Sequence, residues 1–205
     1  MRRASLFAVL ALGLLAGVGF ASPASATVIM YSANLTGPNE SPPNASPALG
    51  FALVTIDDVG DTMDVHATFS GLLGTDTAAH IHCCTAVADT GTAGVATVTP
   101  YFTGFPIGVT SGTYDHTFDM TSSASYNPSF VTANGGTAAG AFNVLLAGMA
   151  ASEAYFNIHS TVFPGGEIRG FLHVQEQTVP EPASIALLGI GLVGLGLGRR
   201  KRNQI

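Results

Sequence analysis

Between residues 28 and 174, apolar and polar positions alternate in short runs broken by Gly, Pro, Asn and Asp. A period of two marks a strand with one buried face. Eight runs carry it: 28–35, 49–57, 62–69, 77–83, 95–99, 112–120, 153–162 and 167–174. In 62–69, Met63, Val65, Ala67 and Phe69 share one face, and Asp64, His66 and Thr68 share the other. The segment Asp57-Asp58-Val59-Gly60-Asp61 reads as a hairpin turn. One stretch departs from the alternation. Residues 137–149 (TAAGAFNVLLAGM) place Phe142, Leu145, Leu146 and Met149 at helical spacing, as a core-facing helix would. Many short strands separated by turns predict an all-β fold, an antiparallel Greek-key sandwich or barrel with one short helix.

The last two runs are joined by Phe163-Pro164-Gly165-Gly166, a tight turn that predicts a hairpin. With Phe156, Ile158, Ile168, Leu172 and Val174 pointing inward, Tyr155, Asn157, His159, Glu167, Arg169, Phe171 and His173 point outward. Asn157, His159, Glu167 and Arg169 are then candidate neighbours on one face.

The two ends read as addresses, each with an apolar targeting helix. Residues 1–26 carry Arg2 and Arg3, an apolar run from Leu6 to Phe20, and Ala24-Ser25-Ala26 as a small-x-small cleavage site. This is the layout of a secretory signal peptide. An apolar run of about 15 residues is short for a membrane span, which needs roughly 20. Residues 178–205 carry Pro180-Glu181-Pro182, then an apolar segment, then Arg199-Arg200-Lys201-Arg202. The basic cluster favours the cytoplasmic side of a membrane. This tripartite order resembles the PEP-CTERM sorting signal. The resemblance implies export from a Gram-negative bacterium and a transient inner-membrane anchor. An exosortase then removes the tail, leaving the chain at the cell surface or in the extracellular matrix. Residues 27–177 remain as one domain, enough to bury a core.

Charge sharpens this picture. Six of the seven basic residues lie in the two end segments, and Arg169 is the only one between them. Residues 27–180 hold twelve of the thirteen acids. So acidic a domain repels phosphate backbones, which excludes nucleic acid as a partner.

Three blocks carry a second resemblance: Leu35-Thr36-Gly37-Pro38-Asn39-Glu40-Ser41-Pro42-Pro43, then Thr77-Ala78-Ala79-His80-Ile81-His82, then Tyr155-Phe156-Asn157-Ile158-His159-Ser160 with Pro164-Gly165-Gly166-Glu167-Ile168-Arg169-Gly170-Phe171-Leu172. Together they are similar to the CHRD domain, over about residues 30–174. The resemblance implies an extracellular β-rich module with no agreed enzymatic activity. Cys83-Cys84 departs from the small residues expected after the His-x-His.

His80 and His82 are two apart on a strand, so both rings leave one face. Such a pair offers two imidazoles to a copper or zinc ion, with His159 as a third ligand and Glu40, Asp76 and Glu167 as further donors. The competing reading needs no cofactor. It is a structural polar network of Glu40, His80, His82, Asn157, His159, Glu167 and Arg169. Superoxide-dismutase-like chemistry is a remote alternative; it needs more histidines, and spacing places none of His66, His116 and His173. For Arg169, a bidentate ion pair with Glu40, a lateral contact with Glu167, and an anion or carboxyl-sugar contact are all open.

Cys83 and Cys84 are the only cysteines. A vicinal disulfide, an intermolecular bridge and thiolate ligation beside the histidines are the alternatives. Asp57, Asp58 and Asp61 lack the spacing of a calcium loop and read as acidic surface. No nucleophile elbow, phosphate loop or paired-carboxylate spacing is present, so an enzyme is not expected. Trp is absent, which thins a sugar-stacking platform to the five tyrosines and the phenylalanines. The reading is an exported surface or matrix protein, associated with biofilm or exopolysaccharide, with a non-catalytic binding or structural domain. A metal-binding domain is the alternative. Signal peptidase and exosortase are its processing partners; extracellular polysaccharide or other surface proteins are its ligands.

Overall fold

A computed structural model describes residues 28–175; the signal segment and the sorting tail lie outside the described residues. Eight strands form one antiparallel sheet that curls into a half-barrel. They are β1 (Val28–Thr36), β2 (Leu49–Asp57), β3 (Thr62–Ser70), β4 (Asp76–His82), β5 (Gly112–Asp119), β6 (Tyr155–Ser160), β7 (Ile168–Phe171) and β8 (His173–Val174). The order across the sheet is β4-β6-β7-β1-β2-β3-β5, with β8 also on β1. The expectation of an antiparallel all-β fold holds, with the layers merged into one curled sheet.

Alternation sets the faces as expected. Ala52, Val54, Ile56, Met63, Val65, Ala67, Ala79, Ile81, Phe156, Ile158 and Ile168 are buried on the concave side. Each large aliphatic there contributes on the order of 1.5–3 kcal/mol by leaving water. Two details differ. Residues 95–99 form only isolated bridges, His82 with Val95 and Thr97 with Tyr126, and lie beside β4, where the Ala96 amide donates to the Ile81 carbonyl at 2.9 Å and the Ile81 amide donates to Thr97 Oγ1 at 2.9 Å, so that a side chain interrupts the backbone ladder. The last predicted strand breaks after Phe171, so Val174 lies exposed on β8 and does not point into the core.

Two helices between β5 and β6, α1 (Pro128–Ala133) and α2 (Ala138–Ala150), add residues to the same core. Thr137 caps α2 by accepting from the Gly140 amide at 3.0 Å. Of its expected apolar stripe, Phe142, Leu145 and Met149 are buried and Leu146 is half-buried against the core. The shorter α1 was not expected. Its β-branched, six-residue sequence hides it, although Asn127 caps it and Pro128 opens it.

Cys83 and Cys84 are bonded to each other, which resolves their alternatives within the chain and removes both from any ligand set. Gly148 on α2 lies directly against the two sulfurs; a β-carbon there would overlap Cys83 Sγ and Cys84 Sγ. Gly148→Ala sets a helix-propensity gain of about 1 kcal/mol against an overpacking cost of about 1–3 kcal/mol. The sulfurs are fixed by their own bond, so the cost is expected to win. Calorimetry should show a melting temperature a few degrees below wild type. An equal or higher value would show that α2 and the disulfide separate freely.

Candidate functional site

The register of β4, β6 and β7 builds a polar row on the face opposite the core. His80 pairs with Asn157, and Asn157 with Arg169. His82 pairs with Tyr155, and His159 lies diagonal to His80, opposite Ala78. Period two puts all their side chains on one side, while Ala79, Ile81, Phe156 and Ile158 face the core. An outer face of an antiparallel sheet is normally wet. Here it is roofed. Residues 37–44 and 85–95 fold over it, leaving His80 6%, His82 8%, Asn157 3%, Arg169 4% and Glu40 6% exposed.

Arg169 is the rivet of that roof. Its Nε donates to the Asn39 carbonyl at 2.6 Å and its Nη1 to the Gly91 carbonyl at 3.0 Å. Its guanidinium carbon lies 4.6 Å from the centre of the Tyr155 ring. The sequence suggested a bidentate pair with Glu40. Instead the nearest approach is 3.8 Å, from Nε to Glu40 Oε2, because the guanidinium N–H groups point at the two loop carbonyls. Burial raises the Glu40 pKa to about 7, outweighing the attraction of Arg169.

Glu167 stands apart. It accepts from Ser46 Oγ at 2.6 Å, the Leu73 amide at 2.6 Å and the Gly74 amide at 3.4 Å. Burial alone would raise its pKa, but these bonds and one from Ser160 outweigh it and hold the carboxyl below its usual range. It ties loops together, with Ser46, Leu73, Gly74 and Ser160 as its hydrogen-bond partners and none of the three histidines among them. Asp76 likewise serves a loop, accepting from the Val109 amide at 2.8 Å.

The three histidines face one another. The ring centres of His80 and His82 are 4.7 Å apart, those of His80 and His159 4.8 Å, and those of His82 and His159 5.9 Å. Tyr155 stacks on His82 at 4.7 Å with an interplanar angle of 7°. His82 Nδ1 lies 2.8 Å from the Ala93 carbonyl, and His159 Nδ1 lies 2.9 Å from the Pro164 carbonyl. A carbonyl only accepts, so each Nδ1 carries the proton and each Nε2 keeps a lone pair. Burial lowers the His80 pKa to about 3, with His82 and His159 adding to the effect. Burial lowers His82 to about 4 and also holds His159 below its usual range. All three rings are therefore neutral near pH 7.

Among the described residues, six buried side-chain polar atoms have no hydrogen-bond partner. Five belong to this cluster: Glu40 Oε1, His80 Nδ1, His82 Nε2, Asn157 Oδ1 and His159 Nε2. Gly166 makes room for them. Its φ is +131°, and a β-carbon there would sit 2.6 Å from Glu40 Oε1 and 2.7 Å from Asn157 Nδ2. His66, His116 and His173 lie elsewhere; His66 pairs with Asp115 and His173 with Asp89.

Beside Arg169 opens a cleft of about 630 Å³, whose lining includes Asn34, Asn39, Asp89, Phe171 and His173. The sequence did not point to residues 85–95 as its wall, since backbone carbonyls leave no signature. Tyr155 was legible, because it continues the period-two row of Asn157 and His159.

A curled antiparallel sheet bearing this roofed row agrees with the family match. The CHRD domain matches residues 31–172, and the chain belongs to the CHRD domain family. The PEP-CTERM protein-sorting motif matches residues 178–202. The chain thus carries a C-terminal membrane-anchoring sorting signal for export and is a substrate for exosortase processing. No curated protein and no solved structure matches it.

Proposed function

We propose that this is a non-catalytic surface or extracellular-matrix component of a Gram-negative bacterium, and that its CHRD domain binds extracellular polysaccharide. The observation that carries the reading is the cleft beside Arg169. It presents the amides of Asn34 and Asn39, the hydroxyls of Ser41 and Thr90, and the Asp89 carboxylate, with the Phe171 ring beside them. Hydroxyl-rich ligands are held by such polar groups arranged around one apolar surface. The acidic domain favours a neutral polymer over an anionic one. In this reading, removal of the tail frees the domain to work among polymer chains outside the cell.

The test is affinity electrophoresis of the exported protein in gels containing the host's exopolysaccharide. Wild type should be retarded relative to a blank gel, and Phe171→Ala should lose most of that retardation. Thermal melting would confirm that the variant is folded. Equal mobility of wild type in both gels would contradict the proposal.

A further inference from the structure

We propose that His80, His82 and His159 form a binding site for one zinc or copper ion. One ring nitrogen from each residue lies within 4.8 Å of the others. Three nitrogens at about 2.0–2.1 Å from a common ion would be roughly 3.4 Å apart, so the rings must close by about an ångström. Side-chain torsions supply that movement without moving the strands.

The decisive feature is the outer shell. Histidine ligands usually donate their other ring N–H to a carbonyl or carboxylate, which fixes the tautomer and aims the lone pair. His82 does this to Ala93 and His159 to Pro164, and in both the freed Nε2 is buried without a partner. His80 Nδ1 is buried without a partner as well. Buried polar atoms are rarely left unsatisfied, the two Nε2 lone pairs of His82 and His159 have no proton to share between them, and no hydrogen bond joins His80 Nδ1 to either. A cation satisfies all three at once. Imidazole nitrogen suits zinc and copper, and three protein ligands leave a coordination position open. Asn157, paired with His80 in the register, and Glu40 carry the unpartnered oxygens Oδ1 and Oε1, which can accept from a water bound there. The Cys83–Cys84 bond keeps soft sulfur out, so the site is an all-imidazole one.

The test is titration of the full exported chain, purified without a His tag and stripped with chelator, using zinc sulfate and copper sulfate as probes. Bound metal is measured by equilibrium dialysis and elemental analysis. Cobalt(II) serves as a spectroscopic probe of coordination. One ion per chain is expected, with visible cobalt bands of a low-coordinate nitrogen site. His159→Gln should weaken binding by more than about a hundredfold, above the 10–100-fold cost of losing only an outer partner. The surface variant His66→Gln should bind as wild type. Because His80→Gln could misfold, the half-buried His159 carries the mutational arm, and the cobalt spectrum of wild type stands without any variant. Absence of stoichiometric binding of either metal, or binding lost in His66→Gln but kept in His159→Gln, would overturn the proposal.

Discussion

Replacing Arg169 with alanine is expected to lower the melting temperature by about 6–20 °C. The substitution removes a buried cation that holds two loops by their carbonyls, Asn39 at 2.6 Å and Gly91 at 3.0 Å. It also leaves Glu40 buried with no positive charge beside it. Breaking a buried charge contact by deleting one partner costs about 3–5 kcal/mol. For a domain of this size, each kcal/mol shifts the midpoint by roughly 2–4 °C. The loss should depend on pH in a defined direction. A carboxyl whose folded pKa is raised destabilises the fold above its unfolded value, so stability falls as pH rises. Glu40 is already raised to about 7, and without Arg169 it goes higher. The deficit should therefore deepen between pH 6 and pH 8. Arg169→Lys should recover only part, since an ammonium lacks the fork that reaches both carbonyls. A change below about 2 °C would mean that the roof is held by other contacts.

The metal-free protein is expected to lose at least about 1.4 kcal/mol of stability per pH unit between pH 6 and pH 4.5. The three clustered histidines stay neutral in the fold, while in the unfolded chain they take up protons near pH 6.5. A lowered histidine pKa gives stability that is present above the unfolded value and lost as pH falls toward the folded one. For His82 and His80 that window runs down to about 4 and about 3. Each proton is worth about 1.4 kcal/mol per pH unit. Glu40 runs the opposite way over the same range and offsets one of those two, while His159 adds to the loss. Tyr155, packed against the rings, has its pKa raised by burial and stays neutral throughout. From pH 7.0 to pH 4.5 the midpoint should fall by several degrees or more. Melts at pH 7.0, 5.5 and 4.5 in the presence of chelator would show it. His80→Gln/His82→Gln should flatten the dependence. Equal midpoints at pH 7.0 and 4.5 would show that the rings are solvated and not enclosed.

Much of this architecture was legible from alternation. The faces of β3, and the hairpin across residues 163–166, followed from period two and from the turn residues. That same period set Asn157, His159 and Arg169 on one outward face. What it could not supply was the roof. Arg169 has no carboxylate within hydrogen-bonding distance because two backbone carbonyls compete for it, and carbonyls carry no residue-specific signal. Glu167 shares the alternation of Arg169 but lies past the end of β7, where the turn swings it to the Leu73 amide. The break after Phe171 that exposes Val174 also depends on long-range pairing with β1, which spacing along one strand does not encode.

The most direct measurement is the metal content of the protein recovered from the cells that export it, with no metal added during purification. The expected result is close to one zinc or copper ion per chain, lost in His80→Gln/His82→Gln. A folded wild-type protein without bound metal, and with no rise in melting temperature when zinc or copper is supplied, would contradict it.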